Sequence, residues 1–314
     1  MINGHKDPYL SIVLPIYNEE ESLPELMEEL YSVCNSLNKD YEIIFVNDNS
    51  RDKTSQVLKE YADKDPRIKV IRFSRNFGHQ AAISAGLDAS SGQMVVTMDS
   101  DLQHPPQVVL EFIKQAESGY DIIIGERVDN KQNFFLREMA GRFIYKFLSV
   151  ATGLEFKNAG DFILYKRQVV DVIKSLPERE KFFRGLAQWI GFKKKYVSYS
   201  VRPRKHGRPM SIKRLFSFIL NGVTSFSAFP LRISFWIGLL VFLSSIIYGG
   251  YIFIDHFLHP GSLINGLSAL ILVVLALGSA QLMVIGVIGE YLYKMFNEIK
   301  RRPVYIVAET KNLD

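Results

Sequence analysis

The sequence predicts an α/β domain on a mostly parallel, doubly wound sheet, and three observations carry that expectation. Five short apolar runs rich in Val and Ile recur through the first half: Leu10 to Ile16, Tyr41 to Val46, Ile68 to Phe73, Met94 to Met98 and Ile122 to Gly125. Stretches of mixed polar and apolar periodicity separate them, the alternation expected of buried strands and crossover helices. Unusual polar residues gather where the runs end. Pro15, Tyr17, Asn18 and Glu19 stand at the end of the first, Asn47, Asp48 and Asn49 at the second, Arg75 and Asn76 at the third, and Asp99, Asp101 and Gln103 at the fourth. Such sheets bind ligands outside the carboxyl ends of their strands, so four strand ends are expected to converge on one site.

The 314 residues have room for this domain, taken as 1–200, and for something smaller after it. From Ile233 to Ile254 no residue is charged, and about 22 helical residues reach about 33 Å, the thickness of a bilayer core. A second charge-free run extends from Leu263 to Gly289. The expectation is a transmembrane hairpin over 233–289, with spans at about 233–254 and 263–289 and a basic tail over 290–314. The linker Asp255 to Ser262 lacks Lys and Arg, whereas Arg232 precedes the first span and Lys294, Lys300, Arg301 and Arg302 follow the second. The positive-inside rule then puts both termini and the large domain in the cytoplasm of a multi-pass inner-membrane protein. Met1 to Pro8 has no apolar core resembling a signal peptide.

Charge is unevenly placed. The net charge is +5, yet no Asp or Glu occurs between Lys181 and Ile254, where Lys193, Lys194, Lys195, Arg202, Arg204, Lys205, Arg208, Lys213 and Arg214 crowd together. Beside an expected membrane span such a collar suits anionic headgroups or a lipid phosphate better than nucleic acid. Within the segment 201–232, Ile212, Leu215, Phe216, Ile219, Leu220, Val223 and Phe226 fall on one helical stripe opposite Lys213, Arg214, Ser217, Asn221 and Ser225. That pattern predicts an amphipathic helix lying at the membrane interface. The one cysteine, Cys34, excludes an intrachain disulfide framework and reads as a core residue of a reducing compartment.

The first strand is not followed by G-x-G-x-x-G and no P-loop occurs, which disfavours hydride transfer and ATP hydrolysis. Asp99-Ser100-Asp101 instead puts two carboxylates at the end of a strand, with Gln103 adding a neutral oxygen. Hard cations such as Mg²⁺ or Mn²⁺ take oxygen ligands and bridge carboxylates to substrate phosphates. Small residues Ala276, Ala280, Gly286 and Gly289 would let helices approach closely, and a homo-oligomer is expected.

In order and spacing, Ser11 to Glu20, Val46 to Asp52, Arg75-Asn76-Phe77-Gly78, Asp99 to Pro106 and Gly160-Asp161-Phe162 resemble family 2 inverting glycosyltransferases of the Rossmann-like GT-A fold. The sequence is similar in particular to polyprenyl-phosphate glycosyltransferases, including bactoprenol glucosyltransferases and dolichol-phosphate mannose synthases, and the likeness continues from Phe226 to Arg232 and from Ile288 to Pro303. Carried over by position, Pro15, Tyr17, Asn18, Glu19, Asp48, Arg75 and Asp99 would hold the nucleotide sugar. Asp99, Asp101 and Gln103 would hold Mg²⁺ or Mn²⁺ and the diphosphate. Asp161 would be the catalytic carboxylate, with Asp101 beside it. Arg127, Arg137, Arg202 and Arg204 would grip the acceptor phosphate, guanidinium being suited to phosphate oxygens. Two departures from the family pattern stand out. Gly207-Arg208-Pro209-Met210-Ser211 replaces a G-E-S-K-like motif, and Asn47 and Asn49 flank Asp48 where D-D-G-S is common.

The resemblance implies a hexosyltransferase moving sugar from a nucleotide donor to polyprenyl (undecaprenyl) phosphate, and a tetramer as its assembly; the sequence does not fix the sugar, and UDP-glucose is the first choice. UDP-N-acetylglucosamine and UDP-galactose follow closely as donors. A phosphate acceptor is already largely ionised at neutral pH because its second pKa is about 6. Asp161 is therefore expected to orient or stabilise rather than act as a strict base. One alternative is a processive polysaccharide synthase, of whose Q-x-x-R-W-like motif only Gln188-Trp189 is present. The other is a catalytically silent scaffold, against which the intact Asp99, Asp101 and Asp161 argue.

Overall fold

In the computed structural model, the described residues are 7–128, 149, 152–153, 159–179, 181–202, 227, 229–258 and 266–313. They fall into two compact units, Met1–Phe216 with Arg302–Asp314, and Ser217–Arg301. Arg137, Arg204 and the expected interfacial helix lie outside the described residues.

The first unit is an eight-stranded sheet of order β7-β5-β6-β4-β1-β2-β3-β8. Its strands are β1 (Leu10–Ile16), β2 (Tyr41–Asn47), β3 (Ile68–Phe73), β4 (Met94–Thr97), β5 (Ile122–Val128), β6 (Ala159–Lys166), β7 (Lys194–Ser200) and β8 (Val307–Lys311). The β1–β2, β1–β4, β2–β3 and β5–β7 pairs are parallel, whereas β6 runs antiparallel to both β4 and β5, and β8 runs antiparallel to β3. The mostly parallel α/β sheet expected from the sequence is the one found.

Helices α1 (Leu23–Leu37), α2 (Thr54–Lys64), α3 (His79–Ala89) and α4 (Val108–Glu117) follow the first four strands, and α5 (Arg167–Ser175) and α6 (Phe183–Trp189) follow β6. Central strands are apolar on both faces because helices cover both. Leu10, Ile12, Leu14 and Ile16 of β1 share a buried core with Leu26, Met27 and Leu30 of α1 and Phe112 of α4. On the other face α3 comes so close that a Cβ at Gly86 would run into the side chain of Val13. Cys34 is buried in α1, and burial pushes its thiol up to about 12.

The second unit contains α7 (Phe229–Leu258) and α8 (Gly266–Lys300). The expectation of two membrane spans, and with it that of a multi-pass inner-membrane location with both termini cytoplasmic, is corrected here: among the described residues no helix is long and apolar enough to cross a membrane. That expectation rested on runs without charge. Gly238, Ser244, Tyr248 and Gly250 dilute the apolar content of α7, and α8 runs through Gly278, Ser279 and Gln281 into Glu290, Lys294 and Glu298.

Candidate active site

The β4–β6 ladder sets the centre of the site. Thr97 pairs with Ile163 in the antiparallel register, so Asp99 and Asp161, two residues beyond, come opposite each other at the carboxyl end of β4. The Thr97 hydroxyl donates to the Asp161 carbonyl at 2.7 Å and pins this end of β6. His79 opens α3 between the two carboxylates, its Nε2 3.5 Å from Asp99 Oδ1 and 3.2 Å from Asp161 Oδ2.

Asp161 is only 2% exposed. Arg184 of α6 meets it two-pronged, Nε to Oδ1 and Nη2 to Oδ2, each at 3.0 Å, and Gln80 Nε2 donates to Oδ2 at 3.3 Å. Burial alone would raise the pKa of this carboxyl. The charge of Arg184 and the hydrogen bond and charge of His79 override that and hold it well below the usual carboxylate range. Desolvation likewise works to lower the pKa of His79, but Asp161 and Asp99 outweigh it, and the net shift is upward.

Asp99 is flanked from the other side by His104 and Arg127. The fully buried His104 stacks on Phe162 with ring centroids 4.9 Å apart, and its Nδ1 accepts the Asp99 N–H at 3.1 Å. Burial pushes this imidazole down to about 4, so it is neutral at pH 7. Arg127 Nη2 lies 3.1 Å from His104 Nε2 and 3.8 Å from Asp99 Oδ2. This approach needs Gly160, where a Cβ would stand 3.0 Å from Arg127 Nη2 and 3.3 Å from His104 Nε2. Burial pushes the pKa of Asp99 up, but His104, His79 and Arg127 bring it below its ordinary value.

The loop after β4 turns at Leu102, which is buried with φ of 61°, and Asp101 Oδ1 accepts the Gln103 N–H at 3.1 Å. Among the described residues no group of three or more His, Cys, Asp and Glu side chains forms a ready-made metal cage. Asp99 and Asp101 offer two hard carboxylates, a donor set suited to a divalent cation that completes its shell with phosphate oxygens and water.

The expected donor side is built from three loops. Asp48 is 4% exposed, and its Oδ1 and Oδ2 accept the N–H groups of Phe77 at 2.6 Å and Gly78 at 2.9 Å. Burial pushes its pKa up, the two amides opposing only part of that. Asn18, with φ of 55°, donates its N–H to Ser50 Oγ at 3.0 Å and accepts the Arg51 N–H at 2.8 Å. Glu19 N–H donates to Thr54 Oγ1 at 3.0 Å, and the Pro15 carbonyl accepts Ser100 Oγ at 3.1 Å. Tyr17 is 40% exposed, and Arg75 lies over the Phe77 ring at 4.2 Å.

Of the arginines assigned to the acceptor, Arg127 thus borders Asp99. Arg202 lies elsewhere in the unit, with Nη1 2.5 Å from Glu29 Oε1 and Nη2 3.2 Å from Gln107 Oε1, and only its backbone N–H touches the acidic loop, at the Gln103 carbonyl, 3.4 Å away. Sequence reasoning missed His79, His104 and Arg184. The first two had a local signal, since His79 directly follows the Arg75-to-Gly78 motif and His104 stands inside the Asp99-to-Pro106 motif without an assigned role; Arg184 reaches Asp161 only through the packing of α6.

A mostly parallel sheet with an acidic loop after β4 and a carboxylate brought back on an antiparallel strand defines a GT-A-like glycosyltransferase fold. The chain belongs to glycosyl transferase family 2, whose domain matches residues 11–173. The family expected from the motifs is the family found. The chain is 37% identical over 306 residues to YkcC of Bacillus subtilis (strain 168), named an uncharacterized glycosyltransferase, covering 97% of this chain and 94% of that protein. It is 36% identical over 303 residues to the bactoprenol glucosyl transferase of Shigella phage SfII, covering 96% and 98%. Among solved structures, glucosyl-3-phosphoglycerate synthase from Mycobacterium tuberculosis, in complex with Mn²⁺, UDP and phosphoglyceric acid, matches with a TM-score of 0.51 at 19% identity. The match covers 69% of this chain and 76% of that one, and it is a likeness of fold.

Proposed function

We propose that this glycosyltransferase moves a hexose, with UDP-glucose the first donor to test, onto the phosphate of a polyprenyl phosphate such as undecaprenyl phosphate, with inversion. The observation that carries the reading is the pairing of Asp99 with Asp161 across β4 and β6, one at the acidic loop and the other held ionised by Arg184 and His79. The name of the phage relative supports the lipid acceptor and the glucosyl group.

In this reading the loops carrying Pro15, Tyr17, Asn18, Glu19, Asp48 and Arg75 hold the nucleotide, and Asp99, Asp101 and Gln103 hold Mg²⁺ or Mn²⁺. The cation, when bound, neutralises charge on the departing diphosphate. Arg127, with Arg137 and Arg204, attracts the acceptor phosphate, whereas the guanidinium of Arg202 is held by Glu29 and Gln107 and takes no part in this reading. Asp161 keeps its charge and orients the groups around it; it takes up no proton, because its partners hold it ionised and the acceptor arrives already ionised. Positioning two substrates supplies much of the rate. Assembly into a homo-oligomer is part of the proposal, supported by Gly286 and Gly289, where an added Cβ would meet no atom within 4 Å.

The test is incubation of the purified chain with undecaprenyl phosphate, Mn²⁺ or Mg²⁺ and a panel of nucleotide sugars, followed by mass analysis of the lipid. A hexose added to the lipid phosphate from one donor is expected. Polymer growth, or no sugar on the lipid from any donor, would refute the reading.

A further inference from the structure

The C-terminal strand is an unusual partner for a nucleotide-binding sheet. β8 is almost entirely exposed, so it buries little apolar surface. Its pairing with β3, from Val70↔Lys311 to Phe73↔Val307, ends where the β3–α3 loop begins, and the Ile306 carbonyl accepts the Ser74 N–H at 2.9 Å. The far end is anchored separately: Asn312 Nδ2 donates to the carbonyls of Ala62 at 2.7 Å and Ile68 at 2.9 Å, and Lys311 pairs with Asp63 at 2.7 Å.

Just before β8, the Tyr305 ring stacks on Phe73, centroids 5.1 Å apart and planes 16° apart, and its hydroxyl donates to Asp88 Oδ2 at 2.9 Å. Phe73 in turn meets Phe77 edge-on at 5.6 Å. Phe77 and the next residue, Gly78, supply the two N–H groups that hold Asp48. One continuous set of contacts therefore runs from the chain's C-terminal segment to the carboxylate at the centre of the donor side.

We propose that Tyr305 is a positioning residue for the nucleotide: its ring, through Phe73 and Phe77, holds the loop whose amides fix Asp48. This inference rests on the donor-site reading above. An aromatic pair contributes enough that its loss should weaken nucleotide binding about three- to tenfold.

The test uses the full chain, UDP with Mn²⁺ as the calorimetric probe, and amide hydrogen exchange at Phe77 and Gly78. Tyr305→Leu is expected to weaken UDP binding about three- to tenfold, speed exchange at both amides, and raise donor KM while kcat stays within about twofold. Tyr305→Phe keeps the ring and should restore wild-type binding. Phe77→Leu interrupts the same contacts without touching β8 and, because it also removes the ring beneath Arg75, should weaken UDP binding at least as much as Tyr305→Leu, which keeps the idea testable if the Tyr305 variant fails to fold. Wild-type UDP affinity in folded Tyr305→Leu or Phe77→Leu, or a Tyr305→Phe variant as weak as Tyr305→Leu, overturns the inference alone. Absence of UDP binding to the wild-type chain overturns the donor-site reading and this inference with it.

Discussion

Arg184 and Asp161 form a two-pronged ion pair, 3.0 Å on each oxygen, at a carboxylate that is 2% exposed. Removing one partner of such a pair leaves a buried charge without its counter-charge. Arg184→Gln should therefore raise the pKa of Asp161. The sign follows from the depressed folded value: the pair's contribution to stability is fully present above the ordinary carboxylate pKa and is lost only as pH falls through the folded pKa, which is far lower. Wild-type kcat/KM should thus show no acid limb from Asp161 at pH 5 to 8, estimated from its reference pKa of about 4. Arg184→Gln should move a limb toward that window. A pH–rate profile in both proteins checks it, and an unmoved profile would count against the pair as the reason Asp161 stays ionised.

Asp161→Asn keeps the shape of the side chain and removes its charge. If Asp161 acts by charge, turnover should drop roughly 10²- to 10³-fold, the scale of losing one electrostatic stabiliser. Donor affinity should change by less than about threefold, within the scatter of a single altered contact. Single-turnover kinetics beside calorimetric binding separate the two effects; a loss confined to donor binding would reassign the residue.

Asp101 lies at the acidic loop rather than in the core, so Asp101→Asn should fold normally while losing turnover and the metal-dependent part of UDP binding. Titration of UDP with and without Mn²⁺ reads this directly. Full wild-type activity in excess chelator would remove the metal from the mechanism.

Two glycine replacements should separate stability from function. At Gly160 an added Cβ meets the far ends of Arg127 and His104, so Gly160→Ala should displace Arg127 from Asp99 and lower activity with little change in Tm. At Gly86 the Cβ runs into Val13 in the packed core, and Gly86→Ala should cost roughly 1 to 3 kcal/mol of stability. Thermal unfolding beside activity for the pair is the measurement; equal losses of Tm would contradict it.

The strands β1 to β5 were legible because a strand buried on both faces must be apolar throughout, and their ends were legible because polar residues there interrupt that rule. Asp99 and Asp161 could be named from motifs. Their encounter could not, since it depends on the antiparallel register of β6. Arg184 was invisible for a similar reason: one arginine in a basic stretch becomes a carboxylate partner only when α6 packs beside β6. β8 is harder still. Val307 to Lys311 has neither a buried face nor a turn signal, and its partner strand lies at the opposite end of the sequence. The expected membrane spans show the converse, a local pattern of missing charge that the described helices do not bear out.

The return of residues 302–313 to the first unit sets an order of events during synthesis. Strands β1 to β7 have been synthesised once Ser200 is added, but β3 receives its outer neighbour only after about 110 further residues have been made. At about 5 to 20 residues per second, that is a delay of roughly 6 to 22 s. Throughout it the nascent sheet carries an open edge at β3, the kind of edge that recruits stray strands. Residues 302–313 thus close the β3 edge of the sheet, and a ribosome stalled anywhere in α7 or α8 would hold a domain complete in its carboxylates but unsealed along one side.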